Sequence, residues 1–474
     1  MAEGLWTAEE LVGATAGRLT RPPNAQINGV SIDSRSVSAG DLFVAIKGDK
    51  MDGHDFVATA LGAGAAVALV SRTTPEMEAA GPLLVVPEDP LRGLEQLGRA
   101  ARNRSGAGLV AVTGSVGKTS TKEMLLKTLA ASGKTHASAA SFNNHWGVPL
   151  TLARFPRDAA FGVFEIGMNH AGEITPLVGM VRPHVAIVTT IAASHLGHFK
   201  SLAEIADAKA EIFSGVVPGG SAVINRDTPY FDHLAAAARA QGIQTIIGFG
   251  QHEKSDVRLD RLALHPGCCC VSASVLGEPV TYKLGLPGEH MAINSLAVLA
   301  AAKLLGADLA RAALALAEAK PAKGRGVQQA LKMQGGELQL IDESYNANPA
   351  SVRAALMLLK QAKPGRNGRR IAILGDMLEL GEHGPALHAG LSEAVDEAGV
   401  DILYAAGPLM CHLWSALPAS RRGLHTDSSD GLREPVLAAL QPGDVVMIKG
   451  SLGSRMGPLV EAIKSKWPPA VKDV

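Results

Sequence analysis

The sequence predicts an α/β protein of three domains, each built on a mostly parallel β-sheet covered by helices. The chain has 474 residues, and a domain commonly holds about 100–200 residues, so about three domains are expected. Short apolar runs recur along the chain and are followed by polar turns and helix-like stretches, as in sheets buried on both faces. We place the domain boundaries at residues 1–88, 89–319 and 320–474.

The strand candidates divide among the three segments. A connecting helix at 90–104 separates the first segment from an apolar strand at 109–112, which is followed by a Gly-rich turn and a helix at 118–131. The third segment holds four strand candidates joined by helical stretches, namely LQLIDES, RIAILGD, ILYAAG and DVVMIKG. This pattern predicts a second doubly wound sheet in the C-terminal segment.

Composition limits the classes of partner. Lys plus Arg and Asp plus Glu number 45 each, so net charge gives no reason to expect nucleic acid or an anionic membrane as a partner. Residues 1–14 lack the basic and apolar regions of a signal peptide, and we expect a cytoplasmic protein. The apolar stretch 295–319 contains Lys303, Asp308 and Arg311, and it is predicted to be a buried helix of a soluble domain.

The strongest motif is a glycine-rich loop between an apolar strand and a helix. Glycines let backbone N–H groups approach phosphate oxygens, and the positive end of the helix favours negative charge. The following lysine can reach β and γ phosphates, and the threonine offers a hydroxyl to Mg²⁺. The predicted nucleotide contacts are Gly114, Ser115, Val116, Gly117, Lys118, Thr119 and Ser120.

This loop does not have the standard spacing of a P-loop. Gly114 precedes Gly117 by three residues instead of five. The loop alone does not distinguish a ligase from a GTPase, a kinase or a motor. No G-x-G-x-x-G lies between a strand and a helix, which counts against a nicotinamide or flavin enzyme.

Further motifs follow in a fixed order over almost the whole chain. They are SFNNHWGVPLTL (141–152), FEIGMNHAGEI (164–174), TTIAASHLGHFKSLAEIADAKAEIF (189–213), LPGEHMAINSLAVLAAA (286–302), GRG (324–326), IDESYNANPASVRAAL (341–356), ILGDMLELG (373–381) and IKGSLGSRMGPLV (448–460). With TGSVGKTST, this series resembles the Mur ligase family. The resemblance implies a three-domain Mur ligase architecture, with a central P-loop-type sheet and a C-terminal Rossmann-like domain.

The resemblance also implies a metal site. Glu165, at the end of a buried strand, corresponds to a family magnesium ligand, although a carboxylate there is also often only solvated. His195 follows the strand VAIVTTI and corresponds to a ligand, whereas His198 is interpreted as supporting or structural. Lys209 corresponds to a lysine that CO₂ converts to a carbamate, which with Thr119, Glu165 and His195 completes the implied metal ligands. Lys118, His195 and Lys209 are the implied catalytic residues.

Nucleotide and substrate contacts come from the same resemblance. Asn294 is placed at the adenine, Arg325 at the polyphosphate and Asp342 at the ribose. Each of these, considered alone, would be a surface polar residue or a helix cap. The muramoyl peptide, the dipeptide and the uridine diphosphate group would be bound by three sets, namely Asn143 and Asn144; Tyr345, Asn346 and Asn348; and Asp33, Ser34 and Arg35.

The implied activity is ATP- and Mg²⁺-dependent ligation of D-alanyl-D-alanine to a UDP-N-acetylmuramoyl tripeptide through an acyl phosphate. We expect the N-terminal domain to bind the UDP substrate, the C-terminal domain to close over the site, and the protein to act as a monomer. Two alternatives remain. One is another amino-acid ligase of this family or a folylpolyglutamate synthase-like ligase. The other is a nucleotide-binding regulatory protein without ligase activity.

Overall fold

The structure is a computed structural model that describes residues 4–139 and 141–470. The described residues form three β-sheets in succession along the chain, each flanked by helices. The prediction of three α/β units with mostly parallel sheets is confirmed. The ends of the first and third predicted domains, residues 1–3 and 471–474, lie outside the described residues.

The first sheet is small. Its described strands are β1 (Arg18–Leu19), β2 (Gly29–Ser31), β3 (Asp41–Val44), β4 (Val67–Val70) and β5 (Leu83–Val85), and its helices are α1 (Ala8–Thr15), α2 (Val57–Gly62) and α3 (Pro75–Ala80). The strand order is β1-β5-β4-β3-β2, with β1 antiparallel at one edge and the others parallel. All four side chains of β4 are buried, as expected for a parallel strand covered on both faces.

The central sheet is the largest. Its described strands are β6 (Gly108–Thr113), β7 (Thr135–Ala137), β8 (Phe161–Glu165), β9 (Val185–Val188), β10 (Ser221–Asn225), β11 (Thr245–Gly250), β12 (Val257–His265), β13 (Cys268–Val275) and β14 (Glu278–Leu284). The order is β14-β13-β12-β11-β10-β9-β6-β8-β7. Strands β12 to β14 form an antiparallel meander that the sequence analysis did not predict.

Eight described helices accompany this sheet, namely α4 (Pro90–Asn103), α5 (Lys118–Ala130), α6 (Gly147–Ala153), α7 (Ile174–Val181), α8 (Leu202–Ala210), α9 (Phe231–Ala240), α10 (Glu289–Leu304) and α11 (Leu309–Ala315). The predicted helix at 295–319 is therefore two helices. Gly306 at φ +76° ends α10, and the Asp308 carboxylate accepts a hydrogen bond from the Arg311 N–H at 2.8 Å to cap α11. No helix in the described part of the chain is long and apolar enough to cross a membrane.

The C-terminal sheet has six strands in the described residues, namely β15 (Val327–Met333), β16 (Gly336–Glu343), β17 (Arg370–Gly375), β18 (Ile402–Ala406), β19 (Arg422–Thr426) and β20 (Val445–Lys449). Its helices are α12 (Pro349–Gln361), α13 (Gly384–Ala389), α14 (Ser392–Glu397), α15 (Met410–Ala416), α16 (Ser429–Ala439) and α17 (Gly457–Lys466). The four predicted strands are β16, β17, β18 and β20. The other two, β15 and β19, lie at the edges of the sheet and are only partly buried, so they lack a continuous apolar run.

The strand order places functional loops together. In the central sheet, β9, β6 and β8 are neighbours, and in the C-terminal sheet β16, β20 and β17 are neighbours. Within each of these two groups the strands run parallel, so their carboxyl ends lie at one edge. Loops at the carboxyl ends of parallel strands are where ligands bind in open α/β sheets.

The hydrophobic cores connect the domains unequally. One core cluster contains residues of the first sheet and of the central domain, including Trp6, Leu42, Leu97 and Phe164. The C-terminal domain has its own clusters, which include Leu356 and Leu459 respectively. The first two domains therefore share a core that the third does not join.

Candidate active site

A cleft of about 420 Å³ lies between the central and C-terminal domains. The central domain contributes the phosphate loop and the loops after β8 and β9. The C-terminal domain contributes loops after β16, β17 and β20. The cleft therefore forms where the carboxyl ends of the two sheets meet.

The phosphate loop (residues 113–120) requires its glycines. Gly114 has φ +147°, and a Cβ there would lie 1.9 Å from Thr189 Oγ1. Gly117, at the N-terminus of α5, has φ +88°, and a Cβ there would lie 2.6 Å from Asn294 Nδ2. Ser115 donates its backbone N–H to the Thr190 carbonyl at 2.8 Å, which ties the loop to the strand beside it. Only glycine therefore fits at these two positions of the loop.

Lys118 lines the cleft and interacts electrostatically with both Glu165 and Arg325. Its Nζ donates to the Gly114 carbonyl at 2.6 Å. Burial lowers the pKa of Lys118, and Arg325 from the C-terminal domain lowers it further, whereas Glu165 acts in the opposite direction. Two cations from two domains thus face each other across a cleft that could hold a polyphosphate between them.

Glu165 and Thr119 fit a divalent cation. Glu165 is 1% exposed, and its Oε1 accepts a hydrogen bond from Asn143 Nδ2 at 2.7 Å. Its Oε2 is buried and has no hydrogen-bond partner among the described residues. Thr119 is also buried and lines the same cleft. A carboxylate oxygen without a partner beside a phosphate loop is the donor that Mg²⁺ requires.

His195 lines the cleft from the loop after β9. Its backbone is left-handed at φ +59°, and its Nδ1 lies 2.5 Å from Oε2 of Glu379 in the C-terminal domain. The hydrogen bond with His195 holds the pKa of Glu379 below its usual range. His198 is exposed, with its ring 4.5 Å from that of His170, and it is not among the residues that line the cleft.

Lys209 is buried behind the cleft. It lies on α8, is 1% exposed and does not line the cleft itself. No hydrogen bond or ion pair joins its side chain to another residue in the described part of the chain. Burial, followed by repulsion from Lys118, lowers the pKa of Lys209 well below its usual value. The amine is therefore disposed to be neutral.

The C-terminal domain adds a polar wall. The Arg325 guanidinium lies over the Tyr345 ring, 4.2 Å from its centroid. Tyr345, Asn346 and Asn348 all line the cleft. Asn348 also caps α12, with its Oδ1 accepting the Ser351 N–H at 2.9 Å. The predicted dipeptide residues thus face the phosphate loop from the opposite domain.

Several predicted contacts lie outside the lining of the cleft. Asp342 is buried, and its Oδ1 accepts a hydrogen bond from Ser344 Oγ at 2.6 Å. Asn294 is buried beneath Gly117. Asn144 Oδ1 accepts the Gly147 N–H at 2.9 Å at the start of α6, so it acts as a turn residue in this structure.

The DSR turn also lies away from the cleft, on the first domain. Asp33 pairs with Arg35 through Oδ2 and Nη2 at 2.7 Å, and both side chains are exposed. Ser34 begins the short 3₁₀ turn that Asp33 caps. These residues are free to meet a ligand that extends along the first domain.

Comparisons with known proteins cover almost the entire chain. Three family models match in succession: "Mur ligase family, catalytic domain" at residues 26–102, "Mur ligase middle domain" at 112–302 and "Mur ligase, glutamate ligase domain" at 329–452. An Escherichia coli relative called "UDP-N-acetylmuramoyl-tripeptide--D-alanyl-D-alanine ligase" is 34% identical over 96% of this chain and 99% of its own. The chain belongs to the Mur ligase family.

Relatives of the same name and solved structures agree with this assignment. A Rickettsia prowazekii protein is 31% identical over 96% of this chain and 99% of its own. The crystal structure of MurF from Acinetobacter baumannii superposes with a TM-score of 0.84 at 31% identity, covering 97% and 99% of the two chains. MurF from Thermotoga maritima in complex with ADP gives 0.75 at 25% identity, covering 93% and 98%. The three-domain Mur ligase architecture is thereby confirmed.

This Mur ligase has cleft residues that the sequence analysis did not single out. Lys449 is 3% exposed, pairs with Glu343 at 3.2 Å and donates to the Asn346 carbonyl at 2.9 Å. His290 lines the cleft, and burial lowers its pKa. Glu379 holds His195. Glu343 also lines the cleft, and Lys449, Glu343, His290 and Glu379 all lie in motifs quoted for the family resemblance, but no single one of these residues suggested its partner.

Proposed function

We propose that this Mur ligase joins D-alanyl-D-alanine to a UDP-N-acetylmuramoyl tripeptide, converting ATP to ADP and phosphate. The terminal carboxylate of the tripeptide attacks the γ-phosphorus of ATP, giving an acyl phosphate and ADP. The dipeptide amine then attacks the acyl carbon, inorganic phosphate leaves, and the nitrogen loses a proton. The observation that carries the proposal is the cleft, in which the phosphate loop faces Arg325 and Tyr345, in a chain similar to these ligases over 96% of its length.

The residues of the chain have distinct tasks in this reaction. Backbone N–H groups of the phosphate loop and Lys118 hold the β and γ phosphates, and Arg325 approaches the same charge from the C-terminal domain. Thr119 and Glu165 would hold a magnesium ion, which neutralises phosphate charge when bound. Asn143 orients the Glu165 carboxylate by its hydrogen bond at 2.7 Å. Closure of the two domains excludes water from the acyl phosphate.

Lys209 is a carbamate in the active enzyme. CO₂ adds to the neutral amine with loss of a proton, which converts a cation into an anionic oxygen ligand. Its burial and the lowered pKa support the neutral amine that this addition needs. With His195, the carbamate would hold a second divalent ion, since such ions prefer oxygen ligands.

Substrates are distributed over all three domains. The first domain (residues 1–88) binds the uridine diphosphate group through Asp33, Ser34 and Arg35. The central domain (89–319) binds ATP, with Asn294 at the adenine, and the muramoyl peptide meets Asn143 and Asn144. The C-terminal domain (320–474) binds the ribose through Asp342 and the dipeptide through Tyr345, Asn346 and Asn348. The enzyme acts as a cytoplasmic monomer on these small substrates, without nucleic acid or a membrane.

Phosphate release from ATP tests the function. It is measured with the UDP-muramoyl tripeptide, with the dipeptide, with both and with neither. We expect fast release only with both, together with a UDP-linked pentapeptide product. Equal release with neither substrate would favour a nucleotide-binding regulatory protein. Product formation with a free amino acid instead of the dipeptide would favour another ligase of the family.

A further inference from the structure

Several contacts join the loop of His195 (residues 194–198) to the loop of Glu379 (residues 377–381) across the second domain boundary. His195 Nδ1 lies 2.5 Å from Glu379 Oε2. The Gly197 N–H donates to the Glu379 carbonyl at 2.8 Å. One loop of the central domain therefore engages both the side chain and the backbone of a single C-terminal residue.

Both residues of the pair have uncommon backbone conformations. His195 has φ +59° and Glu379 has φ +63°, a left-handed region that non-glycine residues seldom adopt. Such conformations persist where surrounding contacts hold them, and they concentrate at functional sites.

The two loops also approach each other closely through glycines. A Cβ on Gly197 would lie 3.2 Å from Gly381 N, and one on Gly381 would lie 3.0 Å from Gly197 Cα. The backbones of the two loops therefore approach each other closely beside the His195–Glu379 pair.

The contact determines which nitrogen of His195 is free. A carboxylate only accepts hydrogen bonds, so Nδ1 carries the hydrogen, and in the neutral ring Nε2 keeps its lone pair. Carboxylates orient metal-binding and catalytic histidines in this way. Because His195 lines the cleft, the ring orientation matters for the chemistry there.

We propose that Glu379 is a positioning residue that orients the His195 ring only when the C-terminal domain has closed on the central domain. The proposal rests on the proposed function and adds that the closing domain completes the catalytic site as well as covering it. The Glu379 and His195 side chains are 48% and 20% exposed. Exposed pairs contribute little to stability, so this contact can break when the domain opens.

Substitution of Glu379 tests the proposal in the full-length enzyme. We expect Glu379→Ala to lower kcat about 10- to 100-fold. The KM for the UDP-muramoyl tripeptide should stay within about twofold, because that substrate binds the first two domains. Glu379→Gln keeps an oxygen that accepts the Nδ1 hydrogen bond and should retain more activity. Glu382→Ala, at an exposed neighbouring carboxylate, is the matched control and should match the wild type.

A double substitution, made in the His195→Ala variant, distinguishes a positioning role of Glu379 from a general structural effect. In His195→Ala, adding Glu379→Ala should cost less than about twofold in single-turnover ligation, because no ring remains to be oriented. A full second loss, or wild-type kcat in Glu379→Ala, would overturn the proposal.

Hydrogen–deuterium exchange gives a measurement that does not depend on ligation. With ADP and the UDP-muramoyl tripeptide bound, residues 194–198 should exchange more slowly in the wild type than in Glu379→Ala. Equal exchange in the two proteins would refute the contact. If the wild type exchanges slowly but does not ligate, the proposed function fails while the interdomain contact stands.

Discussion

The two domain boundaries of this Mur ligase are built differently. At the first boundary, between the N-terminal and central domains, apolar side chains of both domains pack into one core. The indole N–H of Trp6 donates to the Ala153 carbonyl at 2.9 Å, and Arg154 Nε donates to the Val30 carbonyl at 2.6 Å. Separating these domains would expose apolar surface and leave buried polar groups without partners.

At the second boundary the facing surfaces carry both polar and apolar side chains and enclose the cleft. Lys118 and Arg325 face each other as like charges, and the contact of His195 with Glu379 is partly exposed. Among the described residues, the core clusters of the C-terminal domain stay separate from the core shared by the first two domains. A bound polyphosphate would turn the like-charge repulsion into attraction from both sides. The difference indicates that one boundary is a fixed scaffold and that the other closes on the substrates.

The largest expected effect concerns the charge at the second boundary. Lys118→Ala should lower kcat at least about 100-fold, because charge on the transferring phosphoryl group loses its compensation. The protein should stay folded, since Lys118 Nζ bonds only a loop carbonyl. Steady-state kinetics and circular dichroism measure the two properties. Lys127→Ala, exposed on the same helix, is the control. A variant with near-normal kcat would show that the cleft is not the phosphoryl-transfer site.

Substitution of Lys209 tests whether its buried side chain acts as a carbamate, with anionic oxygens like those of a carboxylate. Lys209→Ala should be almost inactive and be partly restored by short-chain carboxylic acids that fill the space. Lys209→Arg should not be active, because it keeps the cation that would repel a metal. The exposed Lys200→Ala serves as the control. Normal activity of the arginine variant would exclude the carbamate.

A substitution at the first boundary should change the stability of the protein. Trp6→Ala should lower the free energy of unfolding by about 3–5 kcal/mol, because it leaves a cavity in the shared core and removes the bond to Ala153. Leu452→Ala, 66% exposed on the cleft side, should change it by less than about 0.5 kcal/mol. Urea denaturation measures both. Similar losses in the two variants would mean that the boundaries are not different in kind.

Limited proteolysis distinguishes the two linkers. The sequence alone predicts that substrates protect both, near residues 88 and 319. The structure sharpens this to the second, since α4 is already packed into the shared core. With an ATP analogue and the tripeptide substrate bound, trypsin cleavage after the exposed Lys323 should slow, whereas Glu-C cleavage after Glu88 should not change. Equal protection at both sites would contradict a fixed first boundary.

The sequence was sufficient where neighbouring strands carry the site. Glu165 ends β8, Lys118 and His195 lie in the loops after β6 and β9, and parallel strand order alone brings them together. It was insufficient where two domains meet: Glu379 lies 184 residues from His195, and no local pattern predicts that pairing. The overall fold was also predictable, because apolar runs and turns are local signals in the sequence, and the structure confirms it.

The sequence also does not predict which of two adjacent residues of strand β16 lines the cleft. The family resemblance places Asp342 at the ribose; in the structure its carboxylate accepts a hydrogen bond from Ser344 Oγ, and the adjacent Glu343 lines the cleft. Neighbouring residues of a strand point to opposite faces. The sequence does not specify which face of β16 meets the cleft, so it did not predict that Glu343 lies there.

The smallest expected effect lies on the first domain, away from the cleft. The hydrogen bonds from Arg35 lower the pKa of Asp33 to about 2. A carboxylate with a lowered pKa stabilises the fold above the pKa of the unfolded chain, near pH 4, and loses that contribution as pH falls towards 2. Because the pair is exposed, the contribution is small, and Asp33→Asn should shift Tm by less than about 1 °C at pH 7.

The same variant should still affect substrate binding. Asn keeps the cap of the 3₁₀ turn but no longer pairs with the Arg35 guanidinium, so Arg35 is less well oriented towards a diphosphate. We expect the KM for the UDP-muramoyl tripeptide to rise a few-fold with kcat unchanged, the pattern of a contact made equally in the ground and transition states. Asp55→Asn, exposed on the same domain, is the control. A fall in kcat would show that the first domain takes part in closure, and the contrast between the two boundaries would then need revision.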